Sequence, residues 1–130
     1  MPSKQKTNYL EWFKKADEDM LNAKSILVHR DGTPGGVCFF CHQTAEKYLK
    51  GLLIFYDKDF SKVHDLLQLG TILLDIIPNI PIRNELELLN RYYIETRYPG
   101  DYPEFSWQEA EEAFESATKI KEFILKKTKS

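Results

Sequence analysis

The segment from Thr33 to Tyr56 constrains the fold more than any other part of the chain. Thr33-Pro34 is a strong helix start: the threonine hydroxyl can accept a first-turn N–H, and the fixed φ of proline suits the first helical position. Behind it, Val37, Cys38, Cys41, Ala45, Tyr48, Leu49, Leu52 and Phe55 recur at helical spacing and share one face. An apolar face that long must be covered by other elements. The rest of the chain supplies helices to do it.

Asn8 and Glu11 form a capping-box-like start, and Phe13, Ala16, Met20, Ala23 and Leu27 then make an apolar stripe that Asp31-Gly32 ends. A third helix is expected from His64-Asp65, carrying Leu66, Leu69, Ile72, Leu73 and Ile76 up to the breaker Pro78-Asn79-Ile80-Pro81. A fourth holds Ile82, Leu86, Leu89 and Tyr93 and stops before Pro99-Gly100. Ser106-Trp107-Gln108-Glu109 is a second capping box, followed by a seam of Ala110, Ala113, Ala117, Ile120 and Ile124. No period-two alternation persists, and no internal repeat is visible. The expected architecture is all-α, an antiparallel bundle of four to five helices. It forms a single domain over residues 1–130, with a core over about 8–125 and frayed ends.

Charge narrows the partners. The net charge is −2 and the pI about 5.9, whereas a protein that holds duplex nucleic acid through its phosphates carries a basic excess. The lysines of the C-terminal run, Lys119 to Lys129, suit the negative end of a helix dipole. Met1 to Thr7 is polar and no run approaches the roughly 18 apolar residues of a membrane span. A cytoplasmic protein with no membrane association and no cofactor is expected.

The polar side of the second helix carries the sharpest signal. His42, Gln43, Glu46, Lys47 and Lys50 lie opposite the core face, yet Phe39, Phe40, Leu53 and Ile54 lie in or beside their arc. One reading is a solvated surface with a Glu46–Lys50 helical ion pair worth a few tenths of a kcal/mol. The bracketing apolar residues favour the other: a polar patch inside a ligand cleft or a dimer interface.

Gly35 to Leu53, with its Phe-Phe pair, Gln43, Ala45-Glu46-Lys47 and Lys50, resembles the second-helix signature of HEPN domains. Val63-His64-Asp65-Leu66 resembles the family's His-Asp-Leu, and Tyr92-Tyr93 through Arg97-Tyr98-Pro99 resembles the end of its fourth helix. Trp12, Ala16, Asp19 and Ala23 fit as well, so the resemblance runs over about residues 8–125. It implies a homodimeric bundle that works with nucleotides or RNA, often beside a minimal nucleotidyltransferase on a separate chain, as in toxin–antitoxin pairs. It also implies, for many members, a metal-independent ribonuclease that uses Arg followed four to six residues later by His. Here no His follows Arg91 or Arg97, so the expected function is binding rather than cleavage. Lys47, Lys50, Arg91 and Arg97 are the candidate phosphate contacts, and Tyr98 the candidate stacking ring.

Two alternatives stay open. One is a ribonuclease whose base has moved, with His42 and His64 (and Asp65 beside it) as weak catalytic candidates; the other is a purely structural dimerisation module. His64-Asp65 also reads as a helix cap, with Asp65 accepting backbone N–H groups. Cys38-Phe39-Phe40-Cys41-His42 spells a haem-attachment or redox pattern. Both cysteines fall on the core face, so packing is the expectation. Too few further Cys or His residues remain for zinc, and no metal site is expected.

Overall fold

The computed structural model describes residues 4–60, 62–95 and 104–129, and among them it contains five α-helices and no strand. These are α1 (Lys4–His29), α2 (Pro34–Phe55), α3 (Leu66–Leu73), α4 (Arg83–Glu95) and α5 (Trp107–Thr128). The caps are those the sequence implies. Thr33 Oγ1 accepts from Gly36 N at 3.0 Å, and Asp65 Oδ1 accepts from Leu67 N and Gln68 N at 2.8 and 3.1 Å. Ser106 and Glu109 close a reciprocal capping box at 3.1 and 2.9 Å.

α2 is the central helix and packs on α1, α3, α4 and α5. Val37, Cys38, Cys41, Ala45, Tyr48, Leu49 and Leu52 are fully buried, and α5 brings Ala110, Ala113, Ala117, Ile120 and Ile124 to the same core. α1 runs antiparallel to α2, with Tyr9 against Phe55, Phe13 against Tyr48 and Gly51, and Ala16 against Thr44. The two backbones meet closely at Gly51, where an added Cβ would lie 2.6 Å from Phe13 Cε1 and 3.1 Å from Trp12 Cβ.

Two boundaries differ from expectation. α1 starts at Lys4 rather than Asn8, because Lys-Gln-Lys contains no helix breaker. α3 ends at Leu73 rather than near Ile76; the Leu74 N–H is shared between the Gly70 and Thr71 carbonyls, and turns carry the chain on to the buried Ile77. In α4, Tyr92 is fully buried and edge-on to Phe105 at 5.2 Å; the side chain of Tyr93 lies outside the described residues.

Candidate functional site

The polar stripe of α2 is not a solvated face. His42 is fully buried, and Glu46 and Lys50 are 7% and 5% exposed. Phe60 and His64, in the connection between α2 and α3, close over it together with Trp12 of α1. Glu46 Oε2 is the hub: Lys50 Nζ donates to it at 2.8 Å and His64 Nδ1 lies 2.9 Å away. Lys50 Nζ and His64 Nδ1 are themselves 3.0 Å apart. Glu46 Oε1 faces His42 Nδ1 at 3.9 Å, and Gln43 Nε2 lies 3.4 Å from the same nitrogen. The Lys50 ammonium sits 5.6 and 5.5 Å from the ring centroids of Trp12 and Phe60, close enough for cation–π attraction.

Helical geometry explains the Glu46–Lys50 pair, since residues four apart face each other. Burial changes its meaning. Desolvating two charges offsets most of their attraction, so such a pair stabilises no more than well-packed apolar residues would. A stability argument alone does not account for it.

His64 is the most exposed member of the cluster, with 48% of its side chain accessible. The carboxylate that holds its ring is Glu46, on the preceding helix. Asp65, the neighbouring candidate partner, is instead occupied as the α3 cap, and its Oδ2 accepts from Asn90 Nδ2 at 3.3 Å. Asn90 Oδ1 in turn accepts from Leu66 N at 2.8 Å, which ties α4 to the start of α3. His42 is different again. Burial pushes its imidazole down to about 4, against the opposing pull of the Glu46 and Asp65 carboxylates. It is therefore neutral near pH 7.

The other sequence candidates are scattered. Lys47 pairs with Asp19 of α1 at 2.5 Å. Arg91, on α4, lies 3.3 Å from Glu109 of α5 and 3.2 Å from the Tyr92 hydroxyl. Arg97 and Tyr98 lie outside the described residues. The structure thus gathers His42, Gln43, Glu46, Lys50 and His64, and leaves Lys47 and Arg91 apart. Trp12, Phe60 and Asn90 complete the site without having been legible as members of it.

Cys38 and Cys41 are free thiols in the core. Burial pushes Cys38 up to about 11 and Cys41 higher still, the behaviour of packing residues rather than redox thiols. Among the described residues no group of three His, Cys, Asp or Glu side chains could hold a metal ion. No helix of the described residues is long and apolar enough to cross a membrane.

Among the described residues, four helices around a central α2, with a carboxylate, an ammonium and an imidazole drawn together beneath aromatic rings, define a small all-α bundle domain. The model of the HEPN domain matches residues 9–128, and the chain belongs to that family. It is similar to TT1696 from Thermus thermophilus, with 30% identity and a TM-score of 0.82 over 92% of this chain and 98% of that one. It is also similar to ST0689, an archaeal HEPN homologue, with 26% identity and a TM-score of 0.74 over 92% and 96%. No protein of curated function matches the chain.

Proposed function

We propose that the chain binds the phosphate of a nucleotide or of RNA beside α4, and that it acts with a separate minimal nucleotidyltransferase. The observation that carries this reading is the placement of Arg91. Its side chain is 49% exposed, against 26% for Lys47 and 6% for Lys50. A half-exposed pair such as Arg91–Glu109 contributes little, so a phosphate, which takes a two-pronged guanidinium contact, can displace the carboxylate. Arg97 follows in sequence as the second cation and Tyr98 as the stacking ring. Lys47 and Lys50, each already neutralised by a carboxylate, serve the fold rather than the ligand. A net charge of −2 suits one phosphate group or a single-stranded end better than a duplex.

The test is fluorescence anisotropy with labelled single-stranded RNA, with ATP as competitor. Arg91→Ala and Arg97→Ala should each weaken binding by about 1.5–3 kcal/mol, and Arg97→Lys should recover only part of the loss. Wild-type affinity in both alanine variants would return these arginines to a structural role. Co-purification with a nucleotidyltransferase encoded next to this chain tests the partner. A homodimer is the expected working form, and sedimentation as a monomer at high micromolar concentration would remove it.

A further inference from the structure

We infer that the outer face of α1 is a docking surface for an amphipathic helix of a different protein, one whose apolar seam is flanked by carboxylates. This face lies across α1 from Trp12 and Asp19, and the inference is independent of the phosphate-binding reading above.

Among the described residues α1 packs only on α2 and α5, so this 26-residue helix keeps one side toward solvent. Leu10, Lys14, Asp17, Leu21, Lys24 and Val28 follow one another on that side at spacings of four, three, four, three and four. That alternation is the pattern of a coiled-coil seam. Leu10, Leu21 and Val28 are 59%, 67% and 64% exposed. Single exposed apolar side chains are ordinary and need no partner. Here three of the five large apolar side chains exposed among the described residues share one line, about 27 Å long at roughly 1.5 Å per residue. Beside that line Leu21 joins Met20 and Phe114 of α5 in an open cleft, a hole that a partner's knob can enter.

Charge decides what covers the seam. Asp17 is already compensated: the Tyr48 hydroxyl donates to it, and Lys121 pairs with it at 3.1 Å. Lys14 and Lys24 are exposed, and neither pairs with a carboxylate among the described residues. A second copy covers them badly. Laid antiparallel about the middle of the seam, it sets Lys14 against Lys24; laid parallel, it sets each lysine against itself. Like charges facing each other across a seam act against self-pairing. A helix with two carboxylates ten residues apart, the separation of the two lysines, meets both of them in either direction. Its apolar seam then covers the three exposed side chains. An anionic membrane fits less well, because it needs a broad apolar face, whereas this one is a single row bordered by the exposed Glu11 and Glu18.

The experiment uses the full chain and fluorescence anisotropy with a labelled synthetic helix about four heptads long. The peptide has leucine along its seam and two glutamates ten residues apart beside it, matching Lys14 and Lys24; a second peptide carries lysines in place of the glutamates. The expected result is saturable binding of the glutamate helix, with the lysine helix weaker by about tenfold or more. Leu21→Ser should weaken the glutamate helix by about tenfold or more. Lys14→Glu combined with Lys24→Glu should reverse the preference between the peptides. All three side chains are exposed, so melting temperatures should hold. No binding of the glutamate helix by the wild-type chain, equal binding of both peptides, or binding undiminished in Leu21→Ser overturns the inference. Sedimentation of the free chain as an oligomer that Leu21→Ser dissociates also overturns it, and assigns the face to a second copy. So does flotation with vesicles of phosphatidylcholine and phosphatidylserine that the same variant loses, which assigns the face to a membrane surface.

Discussion

α2 carries two lysines three residues apart, and the fold treats them in opposite ways. Lys47 reaches across to Asp19 of α1, and both side chains keep some contact with water, at 26% and 15% exposure. Lys50 turns toward the α3 side, where it is almost dry and shares one carboxylate oxygen with His64. The first is a two-member staple between neighbouring helices. The second is a closed cluster with a single accessible edge. Equal formal charge on one helix thus says little about role. What covers the charge decides it.

The largest expected effect tests that contrast directly. Glu46→Ala leaves the Lys50 ammonium buried without its carboxylate, and breaking one side of a buried pair costs about 3–5 kcal/mol. Urea unfolding should show the loss as a lower midpoint at unchanged slope. Glu46→Leu combined with Lys50→Met should recover most of it, because an apolar pair of similar volume carries no desolvation penalty. A small effect of Glu46→Ala would mean that Lys50 escapes to water and that the two lysines are alike after all.

Acid should separate the two sides of α2 as well. The folded pKa of His42 lies at about 4, while an unfolded imidazole titrates near ~6.5. The unfolded chain therefore binds the proton first, and stability falls as the pH drops from about 6.5 toward 4. That gap corresponds to roughly 3 kcal/mol at the low end, using about 1.4 kcal/mol per unit. His42→Gln should flatten this part of the stability–pH curve. An unchanged slope in that variant would place the acid sensitivity elsewhere, outside the cluster.

The local parts of this picture were legible in the sequence and the long-range parts were not. The caps at Thr33, Asp65 and Ser106 each need only a short side chain and the next turn, so a few residues encode them. The buried arc of α2 follows from helical period alone. The covering of the polar stripe was visible only as a hint, in the apolar residues that bracket it; nothing in periodicity says that His64, eighteen residues beyond Glu46, returns to it. The same holds for Lys47 and Asp19, twenty-eight residues apart. Gly51 is an instructive middle case. A glycine in a helix interior costs about 1 kcal/mol relative to alanine, and that cost is a sequence signal for the close approach of Phe13. Family likeness added the order of the motifs, but the described candidates it pointed to, Lys47, Lys50 and Arg91, each pair with a different carboxylate.

The smallest expected effect completes the comparison from the other lysine. In Lys47→Ala, Asp19 loses its partner at a place where water can reach it, with 15% of its side chain exposed. A carboxylate that can hydrate carries little of the penalty that strands a buried charge, and partly exposed pairs contribute about 0.2–1 kcal/mol. Salt should weaken even that, since exposed charges are screened over roughly 10 Å at 0.1 M. The expectation is a destabilisation under about 1 kcal/mol that shrinks further at 1 M salt, measured by urea unfolding at both ionic strengths. A loss as large as that of Glu46→Ala, and insensitive to salt, would show that the α1–α2 staple is as dry in its energetics as the Glu46 cluster. The contrast between the two lysines would then collapse.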